Sequence, residues 1–359
     1  MGPPVPAGYL KPSLSTYPNF LVPPPFHRKF SVAAVLAAVL PLAYGAIEGT
    51  AATRYAWEEF KVDHGKIYDS QEEEGKRFQI FVKNMRVAEE RNAAEKAAGG
   101  SAVHGITRFS DLTQEEFSNF FLTSDVSLKT PHEERDNVIA ELPAYSEGDE
   151  VDWTGVFTTP VKNQRQCGSC WAFSATEQFE SDIMRELNTT IILSPQQTVS
   201  CDKTSSGCNG GWTEHAYNYQ ERAGGVETED DYPYRSWVGN TGSCKADESK
   251  FAATHEGYTT VSGESNMASY VQSTGPLSIC LDANTFNSYT GGIMKVCGNS
   301  VDHCVQAVGV LPSSTGGYWK VRNSWGTTWG ESGYIRLAFG SNTCDITNDP
   351  TYVNSPSLI

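Results

Sequence analysis

Residues 162–175 read KNQRQCGSCWAFSA and carry two cysteines, Cys167 and Cys170, two residues apart. A C-x-x-C pair is half of a zinc site, a redox pair, or a structural thiol beside a reactive one. The run that follows places Phe173, Phe179, Ile183 and Leu187 on one stripe, so a helix is expected to begin at or near Cys170. A helix N-terminus lowers a thiol's pKa, and the thiolate is the reactive form. A zinc site needs a second tight pair, but CDKTSSGC (201–208) is too widely spaced and no H-x3–5-H occurs. A redox pair normally follows a strand in a βαβ unit, whereas Pro160 and no such strand precede this one.

Working outward, all nine cysteines lie between Cys167 and Cys344. Crowding of this kind suggests a disulfide-bonded domain made in an oxidising compartment, and an odd count leaves at least one thiol unpaired. The chain has 359 residues, 39% of them hydrophobic, enough for one large or two ordinary domains. Its formal net charge of -16 repels phosphate backbones and argues against a nucleic-acid partner.

The texture of the chain changes along its length. Residues 1–29 form a Pro-rich extension ending in a basic cluster, and the apolar run 30–46 with small residues at Ala43 and Gly45 reads as a signal-peptide core, with a membrane anchor as the alternative. Residues 51–120 have helical periodicity, with Trp57, Phe60, Phe78, Phe81 and Met85 at three- and four-residue spacings and a long helix ended by Gly99–Gly100. Residues 121–146 collect Pro, Ser, Asp and Glu as an exposed linker does, and 147–359 hold the cysteines. Inside that last region GPLSICLDA, HCVQAVGVL, GYWKVRNSW and GYIRLAF read as strands. A helical half followed by a β half predicts an α+β protein of two lobes with a cleft between them.

A nucleophilic thiol needs a base and a group to orient it. The C-terminal region holds three histidines, His215, His255 and His303; the first two are expected at the surface, while His303 opens a predicted strand and Asn323 ends another. The blocks QCGSCWAFS, GCNGG, VDHCVQAVG and NSWGTTWGESGYIRL, in this order, resemble the signature blocks of the papain/cathepsin L family of cysteine peptidases over roughly residues 151–350. The resemblance implies a papain-like two-lobed fold, helical on one side and β-barrel-like on the other, that acts as a monomeric endopeptidase on protein and peptide substrates, with no cofactor or metal. It implies Cys170 as nucleophile, His303 as general base and acid, Asn323 orienting it, and Gln164 in the oxyanion hole. Trp325 would cover the His303–Asn323 pair, and Gly210 and Gly211 would let a substrate backbone approach. The competing reading is a papain-fold binding protein that has lost catalysis.

The same resemblance implies disulfides Cys167–Cys208, Cys201–Cys244 and Cys297–Cys344. Cys280 and Cys304 remain; they would take wall positions of the S2 pocket, either as a fourth disulfide or as two buried thiols. Trp212 would form an aromatic shelf of that pocket beside Thr213, and Asp349 would lie on its floor, where a carboxylate pairs with a basic P2 side chain.

Glu73, Arg77, Phe81, Asn84 and Asn92 follow the E-R-F-N-I-N spacing of the family's propeptides, with Ala88 in place of Ile, and GITRFSD resembles their second pattern, with Thr107 in place of Asn. This implies a zymogen whose own propeptide is an intramolecular inhibitor, released by cleavage within Leu142–Glu150. The short Cys201–Cys208 spacing leaves no room for an occluding loop of the cathepsin B type. Asn188-Thr189-Thr190 is a glycosylation sequon. The secretory pathway is implied, ending in a lysosome or vacuole or outside the cell.

Overall fold

A computed structural model describes residues 50–123 and 142–359; the expected extension, signal core and most of the linker lie outside them. Among the described residues no helix is long and apolar enough to cross a membrane.

The first part is helical because its caps and stripes agree. Helix α1 (Ala51–Asp63) starts where the Thr50 hydroxyl accepts from the N–H of Thr53, and α2 (Gln71–Ala97) where Ser70 accepts from Glu73. Glu72, Glu73 and Glu74 sit in the first turn of α2 and Lys96 in its last, matching the helix dipole. The helix stops as Gly99 takes φ +69°. Trp57 and Phe60 of α1 pack on Phe78, Phe81 and Val82 of α2, each side chain contributing on the order of 2 kcal/mol. The E-R-F-N-I-N spacing now has physical content. Glu73 accepts from Arg77 (2.7 Å), which reaches Glu116 (2.7 Å), and Asn84 donates to the carbonyls of Ser110 and Leu112. Asn92 clasps the backbone of His104 from both sides (2.8 and 2.7 Å). Strand β1 (Val103–His104) follows, then α3 (Gln114–Phe121), opened by a Thr113–Glu116 capping box.

The remainder holds β2 (Val151–Asp152), α4 (Cys170–Leu187), α5 (Pro195–Cys201), α6 (Thr213–Ala223), β3 (Val226–Glu227), β4 (Phe251–Thr254), β5 (Tyr258–Thr260), α7 (Glu264–Ser273), β6 (Leu277–Leu281), β7 (Tyr289–Gly291), β8 (Ile293–Met294), β9 (His303–Leu311), β10 (Tyr318–Arg322), β11 (Tyr334–Ala338), β12 (Asn348–Val353) and β13 (Ser357–Leu358). Helices α4 to α6 surround one core built on Phe173, Phe179 and Ile183. The second core lies on a sheet of order β5-β12-β6-β9-β10-β11-β8, with β2 added on β9. That sheet has two ends, so it is not a closed barrel. The fold is α+β, two-lobed and papain-like.

The helical segment is fastened to the β lobe by more than its helices. Strand β1 pairs antiparallel with β7, setting His104 opposite Tyr289. Phe109, Phe117, Phe121 and Leu122 belong to the β lobe's own core.

Four disulfides join Cys167–Cys208, Cys201–Cys244, Cys297–Cys344 and Cys280–Cys304, leaving Cys170 as the free thiol. Cys280 and Cys304 face each other across the β6–β9 ladder with Cα atoms 4.0 Å apart. One expectation is corrected: His255 is buried, with ring centroids 4.9 Å from Phe179 and 6.2 Å from Tyr217, and burial pushes its imidazole down to about 4. Nothing in its sequence neighbourhood announces that packing. His215 is half-buried, 3.4 Å from Ser205 Oγ.

Candidate active site

Helix α4 begins at Cys170, so the sulfur stands at a helix N-terminus as expected. The β lobe brings His303, the first residue of β9, and Asn323, just past β10, to the facing wall. Nε2 of His303 lies 2.8 Å from Oδ1 of Asn323, which also accepts from the N–H of Ser324 (2.8 Å). That oxygen can only accept, so Nε2 carries a proton and Nδ1 is the basic nitrogen of the neutral ring. Nδ1 makes no hydrogen bond with the described residues. The Trp325 ring stacks on His303 at 4.8 Å and is itself fully buried, shielding the pair from water.

Gln164 is held rigidly. Its carboxamide oxygen accepts from the Ser324 hydroxyl (2.6 Å), and its backbone carbonyl accepts from Tyr234 (2.8 Å). Nε2 is thereby aimed outward, where it donates to the carbonyls of Cys167 (2.8 Å) and Phe121 (3.0 Å). Ser324 is a positioning residue that sequence reasoning missed, although it stands inside the quoted NSWG block.

The helical segment seals this constellation. Leu122 follows α3 into the cleft, and the Thr123 hydroxyl lies 3.5 Å from the Cys170 sulfur. The Thr123 N–H donates to the carbonyl of Asp302 (2.7 Å). Two glycines permit the fit: a Cβ at Gly210, where φ is +127°, would lie 2.6 Å from Thr123 Cγ2, and one at Gly168 would lie 2.6 Å from the Leu122 oxygen. Gly211 is packed against Ser205 and Trp171 instead. Phe109, Phe117 and Phe121 meet the edge of Trp325 at 5.3, 5.4 and 6.2 Å. With water excluded, burial pushes the Cys170 thiol up, opposed by the contact with Thr123, and burial pushes the His303 imidazole down to about 4, opposed by Asn323. Burial thus disfavours the charged form of both groups and opposes the helix N-terminus at Cys170.

Trp212, Cys280, Val301 and Cys304 form a separate apolar cluster beside the cleft. Behind it Asp349 is buried, with Thr213 donating to its carboxylate and the Cys280 sulfur 3.9 Å away. Burial, then the neighbouring carboxylate of Glu214, pushes the Asp349 carboxyl well up. Asn188 caps α4 at its exposed C-terminal end, far along the helix from Cys170. No group of side chains suited to a metal ion occurs among the described residues.

A helical lobe, a β lobe, a cysteine and a histidine across a cleft, and a polypeptide plug define a plugged thiol hydrolase. Residues 148–354 match the papain family cysteine protease domain, and residues 57–117 match the cathepsin propeptide inhibitor domain. The chain belongs to the papain family of cysteine peptidases and carries the family's inhibitory propeptide. It is 39% identical to cysteine proteinase A of Leishmania mexicana over 81% of this chain and 82% of that one. It is 38% identical to digestive cysteine proteinase 1 of Homarus americanus, over 84% and 95%. Among solved structures, digestive procathepsin L2 proteinase from Tenebrio molitor larval midgut superposes with a TM-score of 0.73 at 32% identity, covering 84% of this chain and 99% of that one.

Proposed function

We propose that the protein is an endopeptidase zymogen in which Cys170 attacks the substrate carbonyl, His303 is general base and then acid, Asn323 fixes the imidazole, and Gln164 with the Cys170 N–H stabilises the oxyanion. The carrying observation is the peptide carbonyl of Phe121 on Nε2 of Gln164, one residue before the chain that covers Cys170. When the propeptide leaves, water returns to the cleft, and the thiol can pass its proton to Nδ1 of His303. The thiolate then adds to the carbonyl carbon, the oxygen takes the negative charge, and collapse expels the amine as His303 returns the proton. Water hydrolyses the thioester by the same groups.

The propeptide would resist cleavage because of its direction. It runs from Phe121 at Gln164 to Thr123 at Gly210. A substrate bound along Gly210 and Gly211 with its scissile carbonyl at Gln164 would run the opposite way. Release would follow acid-triggered cleavage within Leu142–Glu150, a stretch that is largely exposed.

Trp212, Thr213, Cys280, Cys304 and Asp349 would form the S2 pocket, apolar on its walls and acidic on its floor. The Cys280–Cys304 bond would pin that wall to the strand bearing His303. Endopeptidase action fits an open cleft without an occluding loop; trimming only of C-terminal dipeptides would contradict it. The exposed sequon at Asn188 fits passage through the secretory pathway, to a lysosome or vacuole or out of the cell. A monomer suffices, since both walls of the site come from one chain. The test is self-processing: zymogen shifted to about pH 4–5 should shorten by roughly 10 kDa. A Cys170→Ala protein that still shortened in isolation would overturn the reading.

A further inference from the structure

Beside Gln164 a cavity of 540 Å³ opens between the propeptide and the enzyme. The enzyme contributes Arg165 and Trp237; the propeptide contributes His64, Lys66, Arg108 and Phe121. No carboxylate lines it among the described residues. Lys66 is already paired with Asp111 (2.7 Å), but Arg165 shares the cavity wall with Arg108, whose guanidinium stacks on Phe109 and leaves Nε and Nη2 buried without hydrogen bonds. Burial, then the charge of Arg165, pushes Arg108 down to about 10. The plug thus sets a cation near a cation, and among the described residues no carboxylate lines the cavity beside Arg165.

The enzyme's half of this cavity is built independently of the plug. The N–H of Gln166 donates to the carbonyl of Trp237 (3.1 Å), fixing the two loops together. Trp237 is 52% exposed, and the Arg235 guanidinium lies 5.6 Å from its ring centroid. Arg165, at φ 57°, holds the left-handed backbone of a tight turn directly after Gln164. Two exposed arginines and an exposed indole therefore form a basic patch on a chain of net charge -16.

The course of the plug shows which substrate residues meet this patch. Thr123 lies at Gly210 and Phe121 at Gln164; of the plug, Phe121 and the earlier residues Phe109 and Leu112 line the cavity, so it lies toward the end of the plug that leads away from Gly210. It is the leaving-group side of the scissile bond. An arginine side chain spans about two extended residues, roughly 7 Å. We propose that in the processed enzyme Arg165, supported by Arg235 and Trp237, forms a subsite that selects an acidic side chain at P2′, two residues after the scissile bond. The inference rests on the endopeptidase reading above, and it deepens that reading by naming a substrate class.

The test uses processed enzyme and internally quenched peptides identical except for Glu or Gln at P1′, P2′ or P3′, at pH 6 and low salt. The kcat/KM ratio of Glu to Gln at P2′ should be about fivefold, as one well-placed exposed ion pair supplies, and should fall with added salt. The ratio should drop to about 1 in Arg165→Gln and invert in Arg165→Glu, on the expectation that an exposed pair is worth at most about this much. A wild-type ratio of 1, a preference at P1′ or P3′ instead, or a ratio unchanged in Arg165→Gln would overturn it. Stoichiometric labelling of Cys170 with a thiol-directed epoxide separates the outcomes. Labelled enzyme that cleaves without preference refutes the subsite alone, whereas unlabelled enzyme that cleaves nothing refutes the reading beneath it.

Discussion

The amide nitrogen Nε2 of Gln164 donates to the carbonyl oxygen of Phe121 at 3.0 Å, so a donor of the enzyme is satisfied by a peptide of its own propeptide. Oriented by Ser324, the same nitrogen is available to an oxyanion once the plug has gone. Replacing Gln164 by Ala should lower kcat of the processed enzyme by about 10²–10³ with little change in KM, since the bond strengthens only as charge develops. A kcat within threefold of wild type would remove Gln164 from the oxyanion hole.

A second prediction concerns acid release. His104 is buried where β1 meets β7, with Nδ1 2.9 Å from Ser288 Oγ, and Arg91 donates to that same hydroxyl (2.7 Å). Burial, then the charge of Arg91, pushes His104 down to about 4, against about 6.5 when free. The docked state therefore rejects the proton that the released propeptide accepts. Docking is at full strength above about pH 6.5 and weakens as pH falls towards 4, by up to about 3 kcal/mol. In His104→Gln, which keeps polarity without charge, the onset of processing should move to lower pH. An unchanged onset, measured by gel against pH, would leave the trigger elsewhere. Glu116 is the alternative: burial opposes its ionisation, but the bond from Arg77 outweighs this and holds its carboxyl below the ordinary range. Its contribution is lost only as pH falls through that lowered value.

Much of this was legible beforehand, for definable reasons. Cys170, His303 and Asn323 fall inside short blocks, so the free thiol at a helix start and the His303–Asn323 pair could be anticipated from sequence. The stripe of Trp57, Phe60, Phe78 and Phe81 announced the helices because their packing is local. What could not be read depends on contacts between distant segments. Thr123 and Leu122 look like linker until α3 aims them into the cleft, and the burial of His104 by β7 and of His255 by α4 and α6 is created by segments far away in sequence. The expected lowering of the Cys170 pKa follows from the helix N-terminus, but burial of the thiol reverses it in the zymogen. The Cys280–Cys304 bond was open between pairing and two thiols until the β6–β9 register set the two residues opposite each other.

A third prediction follows from Asp349. Burial and Glu214 push its carboxyl well above the ordinary carboxylate range, so a pocket floor formed by Asp349 would be neutral in acid and become anionic as pH rises. The kcat/KM ratio of P2-Arg to P2-Leu fluorogenic peptides should rise with pH in the wild type and stay flat in Asp349→Ala. Equal ratios in the two proteins at every pH would exclude Asp349 from specificity.

If Cys170 is a nucleophile silenced by the propeptide, titration with a thiol-directed epoxide will distinguish processed enzyme from zymogen. The sulfur would form a thioether as the epoxide ring opens and its oxygen takes up a proton. Processed enzyme should take up one equivalent at Cys170 by peptide mass mapping, while zymogen, with Leu122 and Thr123 over the sulfur, should take up almost none. Folded, processed protein that leaves Cys170 unlabelled, or zymogen that labels as fast as processed enzyme, would contradict it.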